Sequence, residues 1–259
     1  MNRELFTQVG HLARRSVTRT FRQPAQLIPA LIFPLFLLAV NSSGLRRATH
    51  LPGFPTHSYL TFALAVPFMQ GALFSVMNAG TDLARDIETG FLNRLALTPL
   101  RGSALLTGLL AGTVVVAIVQ SAVYLLVGLA AGANLEAGVG GALAIVALSI
   151  LITVGFGAIG LFAALRTGSG EAVQGLFPLF FVTLFLSSGS LPRNLIHHDW
   201  FREIATYNPV SYLIEGIRSL LIDGWNAQAL ELGFGIAAGI AAIAMVAASA
   251  ALKTRLVRT

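Results

Sequence analysis

The chain has 259 residues, of which 55% are hydrophobic and only 11% are charged. A soluble domain carries about 25% charged residues, so this composition excludes a water-soluble globular domain and predicts a protein with several membrane spans. The net charge of +6 does not indicate nucleic-acid binding, because the chain has no long Lys/Arg run and its basic residues lie beside apolar stretches. The absence of cysteine excludes disulfides and thiolate metal sites.

Residues 1–22 predict an amphipathic helix. At ~100° per residue, the apolar side chains fall on one half of the helix, and Arg15, Arg19 and Arg22 fall on the other half. Such a helix suits the cytoplasmic headgroup layer of a membrane, and a solvated basic leader is the alternative. The first apolar run begins only at about residue 25 and contains two prolines, so we expect a retained span and not a cleaved signal peptide.

Six apolar runs are candidates for membrane spans, since a helix needs roughly 20 apolar residues to cross the hydrocarbon. They cover residues 25–41, 58–80, 103–131, 141–165, 172–189 and 229–252. With the N-terminus inside, 12 Lys/Arg residues lie on the cytoplasmic side and 5 lie outside, as the positive-inside rule requires. We therefore predict an all-α, multi-pass protein of the cell inner or plasma membrane. Its single transmembrane domain spans residues 1–259, and both termini are cytoplasmic.

The segment 190–228, between the last two candidate spans, is predicted to form short outer helices. Asn208-Pro209 is typical of an N-cap followed by proline at the first helical position. Apolar residues then recur at helical spacing until Asp223-Gly224. These helices are too short to span separately, so we expect them to enter the outer leaflet and turn back as a re-entrant pair.

A charged segment at 82–101 lies between the second and third candidate spans. It holds six of the 28 charged residues of the chain. Its apolar residues recur every four positions, which predicts a helix interrupted at Gly90 and ended by Thr98-Pro99. The residues alone leave two interpretations open, a solvated loop and a docking element for another protein.

The sequence carries no recognisable nucleotide or catalytic site. The only lysine is Lys253, and no Gly-rich loop ends in Gly-Lys-Ser/Thr, so we expect no ATP and no other cofactor to bind this chain. The adjacent His197 and His198 cannot share a helix face, and we interpret them as surface residues of an outer loop, not as metal ligands.

Five polar residues inside the candidate spans are candidates for the substrate path: Gln70, Asn78, Gln120, Ser121 and Gln174. For each one, a hydrogen bond between helices is the favoured interpretation. No span has a central ionisable residue, which argues against an ion-coupled carrier, because such carriers need an ionisable relay in the membrane.

Two motifs resemble the type-2 ATP-binding-cassette exporter permeases. The first is the run Arg85-Asp-Ile-Glu88-Thr-Gly90-Phe-Leu-Asn-Arg-Leu95-Ala-Leu-Thr-Pro99, which is similar to the cytoplasmic signature of that family. The second joins Ser187-Ser-Gly189-Ser-Leu-Pro192 to Tyr207-Asn208-Pro209 and the downstream Arg218. With the predicted spans and the N-terminal helix, the resemblance covers nearly the whole chain.

The resemblance implies a coupling helix that docks on a separate ATP-binding-cassette ATPase subunit, which holds Mg-ATP. Glu88, Gly90, Leu95 and Pro99 match the signature, while Arg85, Asp86 and Arg94 are expected contacts to the ATPase by position. The expected re-entrant pair carries Gly189, Pro192, Asn208, Pro209, Tyr212 and Arg218. The resemblance also implies a second permease, either another copy of this chain or a related subunit.

The apolar composition of the spans predicts a hydrophobic drug or lipid-like substrate, exported from the cytoplasm or the inner leaflet. A lipid-linked polysaccharide is the alternative substrate, although its path would be expected to show more aromatic and hydrogen-bonding groups. An ATP-independent carrier or channel is an alternative of another class. An intramembrane enzyme would need paired polar groups at one depth, which the sequence does not display.

Overall fold

The computed structural model describes residues 2–96 and 102–257, and the regular structure in this part of the chain is helical throughout. The α-helices are α1 (Asn2–Phe21), α2 (Pro24–Gly44), α3 (Tyr59–Ala63), α4 (Ala65–Glu88), α5 (Phe91–Ala96), α6 (Gly102–Ala130), α7 (Gly138–Thr167), α8 (Gly170–Gln174), α9 (Phe177–Phe185), α10 (Asp199–Tyr207), α11 (Pro209–Ile222) and α12 (Ala227–Val257). Two 3-10 helices, Arg46–His50 and Arg193–Leu195, lie in the connections.

Within the described residues, five helical segments are long and apolar enough to cross a membrane. They are Pro24–Gly44, Tyr59–Glu88, Ala104–Ala130, Gly138–Thr167 and Ala227–Arg255. Each coincides with one of the predicted spans, so the prediction of an all-α membrane protein is confirmed. Lipid-facing apolar side chains and small residues at the contacts between helices are both expected of such a bundle.

The sixth predicted span, at 172–189, is not confirmed as one continuous helix. The chain forms α8 up to Gln174 and α9 from Phe177, with a break between them. Pro178 has no N–H to donate to the carbonyl of Gln174, so a backbone hydrogen bond is missing between α8 and α9. The 16 residues from Gly170 to Phe185 rise roughly 24 Å, which is less than the ~30 Å hydrocarbon core.

The bundle has two distinct ends. One end, called here the α1 end, holds α1, the α4–α5 junction and the last turns of α7 and α12, where Arg255 donates to the Leu165 carbonyl at 2.9 Å. The opposite end holds α10, α11 and the turn at 187–190, where the Tyr59 hydroxyl donates to the Ser190 carbonyl at 2.9 Å. The charged segment and the predicted outer helices therefore lie at opposite ends of the bundle.

Glycines allow α7 to pack closely on α4. A Cβ atom added at Gly160 would lie 2.1 Å from the Val76 carbonyl oxygen, and one at Gly80 would lie 2.8 Å from the Gly160 oxygen. Real side chains do not fit at such distances, so the two backbones are in direct contact here. Ser75 adds a hydrogen bond across the same contact by donating to the Thr153 carbonyl at 3.1 Å. The two helices therefore form one rigid unit.

Candidate functional site

The charged segment predicted to be a coupling helix folds as two helices that meet in a turn. Helix α4 ends at Glu88, and α5 begins at Phe91. Gly90 between them has a φ of +68°, a left-handed conformation that glycine adopts without strain. Pro99 and Arg101 lie outside the described residues, and so does the side chain of Leu95. We call the junction of α4 and α5 the charged corner.

Three of the predicted coupling residues present their side chains to the outside of the charged corner. Arg85, Glu88 and Arg94 are exposed, and none of them forms an ion pair with a residue in the described ranges. Leu92 on the other side of α5 is buried, which holds that short helix against the bundle. The corner thus offers exposed charges of both signs at the α1 end that are unpaired among the described residues.

Asp86, one of the three predicted charge contacts, instead pairs with arginines of the same chain. Asp86 is only 5% exposed, and its two carboxylate oxygens accept hydrogen bonds from Arg15 at 2.8 and 2.9 Å. Arg19 donates to the same carboxylate at 3.1 Å and pairs with Asp82 at 3.0 Å. The hydrogen bond to Asp86 raises the pKa of Arg15 above its ordinary value. We call this group of two arginines and two aspartates the α1–α4 link.

The link continues to the charged corner and encloses a small polar cavity. The guanidinium of Arg15 lies 4.0 Å from the centre of the Phe91 ring, which begins α5. Between α1, α2, α4 and α6, a cavity of about 40 Å³ is lined by Asn78 and Asp82 among other residues. One water needs about 10–15 Å³ in such measures, so the cavity has room for a few water molecules. Asn78 therefore lies beside the link.

Helix α1 packs against protein along its Leu12 side. A Cβ added at Gly108 would lie 2.5 Å from the Cβ of Leu12, and one at Gly112 would lie 2.5 Å from the Ser16 hydroxyl. Ser16 donates to the Leu109 carbonyl at 2.8 Å and accepts from the Gly112 N–H at 3.2 Å. The helical prediction for residues 1–22 is confirmed, and its position in the headgroup layer stays a prediction. The Leu12 side of α1 packs on α6, and Arg15 and Arg19 of the basic half bind aspartates.

Gln120 hydrogen-bonds between helices, as the favoured interpretation supposed. Pro34 in α2 has no N–H, so the carbonyl of Ala30 four residues earlier loses its partner within the helix. The Tyr124 hydroxyl and the Gln120 amide of α6 donate to that carbonyl. Gln120 thus compensates for a proline in the neighbouring helix.

The other path candidates do not share one surface. Gln70 and Ser121 are buried at 4% and 1% exposure, while Gln174 is exposed at the end of α8. The side-chain oxygen of Gln70 is buried and has no partner among the described residues. Asn78 and Gln120 line different cavities, so the assignment of the five residues to a substrate path stays a prediction.

At the opposite end, Arg218 of α11 binds three backbone carbonyls. Its guanidinium nitrogens donate to Phe62, Ser188 and Gly189 at 3.0 Å each, and the residue is 6% exposed. The Phe62 carbonyl lies at the end of α3, where the helix is interrupted before α4 begins, so it is available to a side-chain donor. Arg218 therefore ties α11 to the start of the second span and to the turn after α9.

The neighbouring residues complete this cluster. Glu215 accepts from Arg193 at 2.8 Å and from the Ser188 hydroxyl at 2.7 Å, and Arg193 lies 4.2 Å from the centre of the Tyr212 ring. Pro192 precedes the 3-10 helix that carries Arg193, and Gly189 is buried in the turn. Sequence reasoning missed Glu215 and Arg193, although a glutamate three residues before a buried arginine on one helix was a usable signal.

The predicted cap at Asn208-Pro209 is confirmed. The Asn208 side-chain oxygen accepts from the Val210 N–H at 2.9 Å, and Pro209 is the first residue of α11. The amide of Asn208 also donates to the carbonyls of Thr183 and Leu186, which end α9. The Asn208 side chain thereby caps the start of α11 and binds carbonyl groups at the end of α9.

Comparison with known proteins identifies the family of the chain. The family model of the ABC-2 type transporter matches residues 7–222, from α1 to the end of α11. A probable doxorubicin resistance ABC transporter permease protein, DrrC, of Mycobacterium tuberculosis is 25% identical over 212 residues, which cover 81% of this chain and 75% of that protein. A putative transport permease, ycf38, of Porphyra purpurea is 27% identical over 227 residues, which cover 86% and 77%. The chain belongs to the ABC-2 type transporter family.

Proposed function

We propose that this chain is the permease subunit of an exporter that is driven by a separate ATP-binding-cassette ATPase. The observation that carries the proposal is the charged corner, where Arg85, Glu88 and Arg94 are exposed without partners in the described ranges. Exposed charges at the end of α4 and on the short helix α5 suit a docking contact, because a partner can pair with them without first breaking an ion pair among the described residues. Asp86 is assigned to the α1–α4 link, not to the ATPase.

Three contacts would carry a movement of the charged corner into the spans. The α1–α4 link joins the corner to α1, and the glycine contacts at Gly108 and Gly112 join α1 to α6. Helix α4 packs on α7 through Gly160. Helix α4 has 24 residues and is roughly 36 Å long, so it also reaches the break beside Arg218 at the opposite end. Such rigid packing transmits displacements, because packed cores deform little.

A second copy of the chain is part of the proposal. Helix α2 is largely uncovered, and Ile32, Phe36 and Val40 are 60%, 60% and 50% exposed. Helix α9 likewise exposes Leu179 and Phe185. In a dimer that meets at these helices, two apolar walls would surround a path that one copy does not enclose. Because the chain has no cysteine, Phe36→Cys provides a single site for cross-linking two copies.

The proposed substrate is a hydrophobic drug or a lipid-like molecule. The exposed surfaces of α2 and α9 are apolar, and the relative named above carries doxorubicin resistance in its name. Resistance profiling of a deletion strain, alongside analysis of its surface glycans, tests this choice. Increased drug sensitivity supports it, and lost surface glycan with unchanged drug sensitivity refutes it in favour of a lipid-linked polysaccharide.

Affinity purification from the native host tests the proposed partner. We expect an ATPase subunit to co-purify with the tagged chain and to be lost with Glu88→Ala. Glu231→Ala is the matched control, since Glu231 is also exposed but lies at the opposite end of the bundle. If no ATPase co-purifies, or if Glu88→Ala and Glu231→Ala retain the ATPase to the same extent, the docking role of the charged corner is wrong.

A further inference from the structure

The exposed side of α1 forms a basic groove that the transport proposal does not use. His11, Arg14, Thr18, Arg22 and Gln23 are among its lining residues, and it is an open groove of about 670 Å³. Arg15 and Arg19 also contribute to its wall, but Asp82 and Asp86 already neutralise them. Arg14 and Arg22 form no ion pair with any residue that the structure describes. The groove therefore has an uncompensated charge of about +2 and attracts an anion.

The groove lies where the chain enters the membrane. Arg22 is followed almost directly by Pro24, the first residue of the first span. Phe21 is 57% exposed and Ile28 is 52% exposed, so large apolar side chains flank the basic ones. At ~100° per residue, Phe21 and Val17 lie on the strip of α1 next to Arg14. Basic side chains beside an apolar strip, at the start of a span, are at the level of lipid headgroups.

Exposed apolar side chains lie beside the groove on the membrane side. Phe21 is the last residue of α1, and Ile28 lies in the first turns of α2. A molecule with a charged head and an apolar chain matches this combination. A soluble protein partner with acidic residues would match only the basic half, because it has no acyl chain to lie against Phe21 and Ile28.

Charge at the groove and apolar side chains beside it together define the ligand. We infer that the groove binds an anionic phospholipid of the inner leaflet, such as phosphatidylglycerol. Its phosphate lies on Arg14 and Arg22, and an acyl chain lies along the exposed side chains of Phe21 and Ile28.

The inference concerns a bound lipid and does not depend on the ATPase or on the exported substrate. It predicts that phosphatidylglycerol stays bound to the purified full chain in detergent and raises its melting temperature, whereas phosphatidylcholine does neither. Replacing both arginines, Arg14→Gln and Arg22→Gln, should weaken phosphatidylglycerol binding about 25-fold, since each basic residue at the headgroup level contributes about a factor of five.

The matched control is the double variant Arg46→Gln and Arg47→Gln. It removes the same charge from exposed residues at the opposite end of the bundle. Arg14 and Arg22 form no ion pair in the described ranges, so we expect both double variants to fold, which size-exclusion chromatography checks.

Native mass spectrometry with titrated lipid measures the binding. The inference holds if only the Arg14/Arg22 variant loses phosphatidylglycerol and if added salt weakens the binding to the unmodified chain. It is overturned if phosphatidylcholine binds equally well or if both double variants lose the lipid to the same extent. It is also overturned if glycerol phosphate, which has no acyl chains, displaces phosphatidylglycerol when both are present at the same concentration. A further contrary result would be an Arg14/Arg22 variant that loses a co-purifying protein while it still binds the lipid.

Discussion

The substitution Asp86→Asn tests whether the α1–α4 link holds the N-terminal helix in place. The change keeps the size of the side chain and removes its charge. Hydrogen bonds to charged groups contribute about 1.5–3 kcal/mol and neutral ones about 0.5–1.5 kcal/mol, and the substituted amide loses the charge on the acceptor only. Asp86 accepts from Arg15 twice and from Arg19 once, but Arg15 is 38% exposed, so solvent screens part of its share. We expect a net loss of about 2 kcal/mol.

A single introduced cysteine measures this loss directly, because the chain has none of its own. Leu12→Cys lies buried against α6 and reacts with a maleimide only when α1 detaches. A loss of about 2 kcal/mol raises the detached population, and hence the labelling rate, about 30-fold. The measurement compares labelling rates in detergent with and without Asp86→Asn.

Asp199→Asn is the control for this prediction. Asp199 pairs with Arg202 on the same helix, but it is 88% exposed, so its charge should contribute less than about 0.5 kcal/mol. The labelling rate of Leu12→Cys should therefore not change in that variant. If Asp86→Asn also leaves the rate unchanged, α1 is held by its glycine contacts alone, and the reasoning about the link is refuted.

Three further predictions concern packing and buried hydrogen bonds, and thermal melting in detergent checks each of them. Gly160→Ala should destabilise the bundle by about 1–3 kcal/mol, because its new methyl group meets a backbone carbonyl at 2.1 Å, whereas Gly235→Ala has open space around it and should be neutral or stabilising. Arg218→Gln leaves backbone carbonyls unpaired in a buried site and should lower the free energy of unfolding by about 3 kcal/mol or more. Tyr124→Phe should lower the free energy of unfolding by about 1 kcal/mol, because the Ala30 carbonyl loses a donor. The loss should be much smaller in a Pro34→Ala background, where residue 34 has an N–H that can donate to the Ala30 carbonyl.

Each of these predictions has an outcome that contradicts it. Equal melting temperatures for the two glycine variants would show that α4 and α7 move apart at little cost. An Arg218→Gln variant as stable as Arg202→Gln, which changes an exposed arginine, would mean that water replaces the guanidinium. An unchanged effect of Tyr124→Phe after Pro34→Ala would show that the proline does not explain the hydrogen bond.

The spans and the cap of α11 could be predicted from sequence because their causes are local. A long apolar run indicates a membrane span without knowledge of its neighbours. The cap at Asn208 depends on that residue and the proline that follows it. The break in the predicted span at 172–189 had a local signal as well, in Gly175 and Pro178, but hydropathy outweighed it.

The α1–α4 link could not be predicted, because its partners are 71 positions apart in the chain. On a helical wheel, Arg15 and Arg19 belong to the basic half of α1, and nothing local distinguishes them from Arg14 and Arg22. A usable hint was the spacing of Asp82 and Asp86, which puts two carboxylates on one helix face at the end of a span. Carboxylates in that position require nearby cations.

The central claim is that the charged corner transmits the movements of a partner ATPase, driven by ATP, to the membrane spans. ATP-driven transport in proteoliposomes that contain the permease and its ATPase tests it most directly. The account predicts that Glu88→Ala lowers the transport rate about 10-fold or more, as expected for a lost charged contact, and that Glu231→Ala leaves it unchanged. Equal rates for the two variants, or transport driven by an ion gradient without ATP, would contradict the account.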